Sequence, residues 1–342
     1  MDSLATYFSW LFGEVSDFFL KATTPGHKLT LMVVVVVLFV VVMGAILWLV
    51  DRPKNAPRWV VTLGFVGPAV LAVTFGLIYP GIRTIWTSLN DRTGNTFLGA
   101  DNYVRAFTED QFQIVLRNTA LWTILVPVVA TFIGLVYAVL VDRTRSEKFA
   151  KTLIFLPMAI SMVGASIIWK FVYDYKPTGQ PQTGLLNQVL KMLGLETRQF
   201  LLTAPANTFF LIAVMIWIQT GFAMTVLSAA IKAIPEDITE AARLDGLSGI
   251  GMFRHITVPS IRPAMVVVLT TIAMGTLKVF DIVRTMTGGN FNTSVVANEF
   301  YRQSFVIRDA GLGAALAVLL FVLVIPLVIY NIRQMRRAEA IR

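Results

Sequence analysis

Seven stretches of this chain are apolar for roughly the 20 residues that a helix needs to cross a hydrocarbon core of about 30 Å. They are Leu29–Val50, Trp59–Pro80, Asn118–Val141, Thr152–Tyr173, Thr208–Ile231, Pro263–Phe280 and Leu312–Ile332. The sixth is short, so it either starts deeper or tilts. Of all residues 56% are hydrophobic and only 14% charged, against about 25% charged in soluble domains. These runs predict an all-α polytopic membrane protein with seven transmembrane helices. Nothing alternates in the manner of a β-barrel strand.

Several chemistries are excluded at once. Without Cys there is no disulfide framework, Cys-zinc site or thiol catalysis. The two His, at positions 27 and 255, are too far apart in sequence to form a metal cluster. No Walker-type glycine loop is present, so the chain has no such means of binding ATP. The net charge of +9 reflects loop placement rather than a nucleic-acid partner.

That placement orients the chain. The connections 51–58, 142–151, 232–262 and 333–342 carry 15 Lys and Arg in 59 positions, and the opposite set carries 12 in 130. The positive-inside rule makes the denser set cytoplasmic. The N-terminus is then outside and the tail 333–342 inside. The first 20 residues lack a basic n-region, so no cleaved signal peptide is expected. Leu4, Phe8, Leu11, Val15 and Phe18 recur at helical spacing, which reads as an amphipathic helix at the outer interface or as an unstructured leader.

The cytoplasmic segment 232–262 is polar between two apolar runs, with four acids and four bases. Pro235 suits the first position of a helix, and Glu236 and Asp237 favour its first turn. Gly246 supplies a stop. Ser248 suits the cap of a second short helix, and Pro259 and Pro263 are expected to break the chain before the sixth span. Glu240-Ala241-Ala242, then Asp245-Gly246, Phe253, Ile256 and Pro259 stand in the register of the Glu-Ala-Ala loop of binding-protein-dependent ABC importer permeases. Val258 replaces the usual Leu.

The resemblance extends to Leu156-Pro157, Trp169, Gly184-Leu185-Leu186-Asn187, Thr287-Gly288-Gly289, Tyr301 and Phe305. It is to the carbohydrate-type permeases, most of all the maltose and α-glucoside permeases. It covers the chain from about Trp59 onward and implies a six-helix type I core, residues 59–332, preceded by an extra helix and link, 29–58. The loop is implied to form a coupling helix on a cytoplasmic ATPase, with Glu240 pairing to a basic group, Ala241 and Ala242 allowing close approach, and Gly246 making the turn. Ile256 and Pro259 complete the segment. Asp245 either shares that role or acts locally, capping or pairing with Arg243 or Arg254.

The resemblance also implies the assembly: a second permease subunit in a heterodimer, two ATP-binding cassette subunits and an extracytoplasmic sugar-binding protein. They would serve a neutral oligosaccharide in a bacterial cytoplasmic membrane. ATP and Mg²⁺ would sit on the ATPases; this chain itself would bind no cofactor and catalyse no reaction.

A pathway is sought on the two helices that flank the coupling loop. The fifth span offers Gln219 and Thr220 beside Phe222, and the sixth offers Gly275, Thr276 and Val279. Each is either a sugar contact or a helix-packing group. Lys278 and Asp281 are expected to pair. Glycerol phosphate or another polyol is an alternative cargo. An ion-coupled secondary carrier is an alternative class, and it would need titratable groups within the spans.

Overall fold

The structure, a computed structural model, describes residues 24–51, 58–142, 144–177 and 179–340. The expected leader helix lies outside the described residues. Among the described residues six helices are long and apolar enough to cross a membrane, or seven spans if a bent pair of helices is taken as one. Among the described residues the only strand-like pairing is an isolated bridge between Asn90 and Phe97.

The chain divides into two compact units, before and after Ile82. In the first, α1 (Pro25–Asp51) and α2 (Arg58–Val73) are apolar on every side, as suits helices surrounded by lipid. A π-helical turn over Thr74–Ile78 carries α2 into α3 (Tyr79–Ser88). No described residue before Ser88 is buried.

The second unit holds the core. α4 (Asp101–Thr108) precedes α5 (Asp110–Val141), a 32-residue helix of which the expected third span is the later part. α9 (Ala206–Lys232) and α12 (Val258–Leu277) pack on α5 and on each other. Trp122, Val126 and Ala130 of α5 interlock with Leu211, Met215 and Met224 of α9 and with Val268 and Ile272 of α12. The last helix, α15 (Ala310–Ala340), packs along α12 and continues through the basic tail as far as Ala340.

The fourth span is not one helix. α6 (Glu147–Phe155) and a 3₁₀ turn over Leu156–Ala159 meet α7 (Met162–Val172) at a bend of 101°. Pro157 lacks the amide for a continuous ladder. Ile160 is extended, with φ −88° and ψ 138°, and Ser161 restarts the helix by accepting a bond from Gly164 N at 3.1 Å.

The sixth span starts deeper, one of the two alternatives its short apolar run left open, and the prolines expected to break the chain do not interrupt it. α11 (Gly249–Met252) runs through a π-helical turn over Phe253–Thr257 into α12, making one membrane-length helix over Gly249–Leu277. The wider turn lets Val258 N bond Phe253 O, and Pro259, in the first turn of α12, has no amide to leave unpaired. Short helices α8 (Leu185–Met192), α13 (Asp281–Met286) and α14 (Val296–Tyr301) occupy the loops at the other end of the bundle.

Candidate functional site: the coupling segment and its stem

Between α9 and α11 stands α10 (Glu236–Leu244). Pro235 is its cap residue, one position earlier than expected, and Glu236 and Asp237 fill the first turn. The helix ends in a double bond pattern, Gly246 N to Arg243 O at 3.0 Å and Leu247 N to Ala242 O at 2.9 Å. Such a Schellman closure needs a left-handed residue, and Gly246 has φ +84°. Ser248 holds the cap position of α11, yet its side chain makes no capping bond.

This segment presents one face outward. Glu240, Ala241, Asp245, Gly246 and Pro259 are exposed, Ile256 is half-buried, and Ala242 is buried against the segment's own turn. Glu240 has no hydrogen bond or ion pair among the described residues, and Asp245 pairs with neither Arg243 nor Arg254. Leu244 is 89% exposed and Ile250 83%. Behind the helix lies a cavity of about 440 Å³ bordered by Val139, Asp142, Ile231, Arg243 and Phe253.

The stem of the segment is pinned by a cluster that no sequence motif announced. Lys151 Nζ donates to Glu147 Oε1 at 2.7 Å, Asp142 Oδ1 at 3.3 Å and Ser228 Oγ. Lys232, the last residue of α9, reaches the same two carboxylates. The ends of α5 and α9 and the start of α6 are thus tied together four residues before α10 begins. Only the Glu147–Lys151 spacing signals this in sequence.

The pathway candidates fall into two groups. Thr276 is fully buried with its hydroxyl on Ile272 O at 2.7 Å, and Val279 is 3% exposed within the core. Thr220 bonds Ile216 O at 2.7 Å and borders a cavity of about 560 Å³ with Trp217, Tyr137 and Pro157. Phe222 packs against the core. Gln219 is half-buried with no hydrogen bond among the described residues, and Gly275 is exposed with open space where a Cβ would stand. Lys278 and Asp281 form no ion pair, because the helix ends between them, at Lys278.

Residues 112–337 match the model of the binding-protein-dependent transport system inner membrane component. The chain is 47% identical, over 81% of its own length and all of the other's, to the osmoprotective compounds uptake permease protein of Synechocystis sp.. It is 46% identical to the alpha-glucoside transport system permease protein of Rhizobium meliloti, covering 80% of this chain and 82% of that one. In fold it resembles a chain of a bacterial alginate ABC transporter, with a TM-score of 0.68 at 23% identity, over 80% of this chain and 93% of that one. With residues 112–337 matched and relatives at 46% and 47% identity, the chain belongs to the family of binding-protein-dependent transport system inner membrane components.

Proposed function

We propose that this chain is one transmembrane half of an ATP-driven importer that moves a neutral α-glucoside-type sugar across a bacterial cytoplasmic membrane. Its N-terminus is outside and α10 inside, as the Lys and Arg distribution requires. The observation that carries the coupling role is Glu240, exposed and unpaired on a short helix whose stem is pinned by charges and which a tight turn at Gly246 joins to the continuous helix of α11 and α12. A cytoplasmic ATPase that binds α10 would move α9 and α12 together as levers, since packed helices shift as rigid bodies. The partners are a second permease, two ATPase subunits that hold ATP and Mg²⁺, and an extracytoplasmic sugar-binding protein.

The sugar reading is supported by two relatives, whose names specify alpha-glucoside and trehalose/maltose transport. The open groups next to the coupling levers, Gln219 and Gly275, are neutral, which disfavours a phosphorylated cargo such as glycerol phosphate. A small neutral osmoprotectant is the second reading, favoured by the name of the Synechocystis relative. Uptake of labelled trehalose, maltose, sucrose and an osmoprotectant by the reconstituted complex separates the two. ATP-dependent uptake of none of them would overturn the sugar reading.

A further inference from the structure

At the end of α5 remote from α10, the loop after α13 closes a polar cavity of about 370 Å³ against Gln111 and Ile114. That size is within the roughly 300–1,000 Å³ of small-molecule sites. Its wall includes Glu299, only 1% exposed. The carboxylate accepts from Gln303 Nε2 at 2.8 Å, Arg302 Nη1 at 3.3 Å and Ser294 Oγ at 3.4 Å. Arg302, also in the cavity wall, stays 43% exposed and uses only one of its nitrogens for that pair.

The rim bears three amides, Gln111, Asn290 and Asn292, whose side chains make no hydrogen bond among the described residues. Phe291 adds a ring 49% exposed. Phe291 and Asn292 are both left-handed, at φ 55° and 60°, a conformation costly for a bulky side chain. Two buried asparagines from different spans hold this turn. Asn118 Nδ2 donates to Asn292 O at 2.7 Å and Ser294 O at 3.0 Å, and Asn207 Nδ2 donates to Phe291 O at 2.8 Å. Beside Ser294, Asn298 is fully buried and its Oδ1 has no partner.

A net-neutral Arg–Glu pair, several unbonded amides and one exposed ring make a poor site for a phosphate or a lone ion. They suit vicinal hydroxyls with an apolar ring face, because amides and the Arg–Glu pair both donate and accept. We propose that this cavity is a second sugar site, holding one neutral pyranose unit at the outer mouth of the permease. The inference rests on the reading above that sugar is the cargo and this face extracytoplasmic.

This chain has no native Cys, so Ile114→Cys on the cavity wall gives its one thiol, in a transporter whose partner subunits have been freed of Cys. It is modified with a membrane-impermeant maleimide in right-side-out vesicles, with methyl α-glucoside or an acyclic polyol as the probe. Expected are reaction from outside, slowing of at least about five-fold by the glucoside alone, and loss of that protection when Gln111→Ala is added. A five-fold protection corresponds to about 1 kcal/mol, one neutral hydrogen bond. Equal rates with and without the glucoside, in a transporter whose wild type takes that sugar up, overturn the site. A cysteine that the reagent cannot reach overturns it too, since the cavity is then covered or faces inward. Absence of both uptake and protection overturns the transport reading as well.

Discussion

Gly134 of α5 lies directly against Ala223 of α9: a Cβ on Gly134 would stand 2.6 Å from Ala223 Cβ and 2.7 Å from Met224 N. The two helices cross here at backbone distance. Gly221, two residues earlier on α9, sits equally close to α6, where a Cβ would meet Ile154 O at 2.6 Å. Small residues at such crossings replace the hydrophobic drive that lipid removes. Gly134→Leu is therefore expected to force the helices apart at a cost of about 1–3 kcal/mol, read as a lowered unfolding midpoint in detergent. Gly275→Leu, at an open position, should leave that midpoint unchanged.

Glu240→Lys reverses one of the three exposed acids of α10, none of which has a side-chain hydrogen bond or ion pair among the described residues. Since no intrachain bond is lost, the folded yield and unfolding midpoint should equal those of the wild type. Uptake should fall at least about ten-fold, because leaving one member of an interfacial charge pair unmatched costs roughly 2–5 kcal/mol. Leu244→Asp, at 89% exposure, should weaken ATPase binding without touching the core. Normal uptake in a stable Glu240→Lys transporter would remove the coupling role.

What was legible in the sequence follows from the range over which each signal acts. Span existence depends on local apolarity, and the coupling helix on adjacent residues such as Pro235, Glu236 and Gly246, so both were readable. The bend in the fourth span was missed because an averaged apolar run hides Pro157 and Ser161, two residues that act on single backbone bonds. The unbroken helix through Pro259 was missed for the converse reason: a π-helical turn over Phe253–Thr257 accommodates a residue that usually signals a stop. The cluster of Asp142, Lys151, Ser228 and Lys232 joins positions up to 90 apart, and no local pattern reports that. Among the pathway residues, periodicity put Gly275 and Thr276 on one face, but Thr276 is buried and Gly275 open.

The two lysines of the stem cluster should differ in weight. Lys151 has 23% of its side chain exposed and meets two carboxylates and a buried hydroxyl, whereas Lys232 is 49% exposed. Lys151→Met leaves Asp142, itself 8% exposed, with half its compensation. The expected cost is about 1–2 kcal/mol, between that of surface and buried pairs. Lys232→Met should cost about 0.2–1 kcal/mol and lose most of that effect in high salt. Equal destabilisation by both substitutions would contradict this ordering.

The loop that braces the start of α15 carries a titration test. Asp91 Oδ1 accepts from Asn95 N at 2.9 Å and Thr96 N at 3.1 Å, and Thr93 Oγ1 bonds both carboxylate oxygens. The next residue, Arg92, holds Ile307 O at 2.6 Å, and its own carbonyl accepts from Ala310 N at 2.9 Å. The Thr96 amide above all, with Thr93 and Asn95, lowers the Asp91 carboxyl from 3.8 to about 2. The folded value is below the unfolded one, so this anchoring is complete above about pH 4 and is lost as pH falls toward 2. Carboxyl NMR of ¹³C-labelled aspartate, with Asp91→Asn to assign the signal, should show a midpoint near 2. A midpoint near the ordinary value of 3.8 would mean that the loop is not held by its acid, and α15 would then rely on Arg92 alone for that brace.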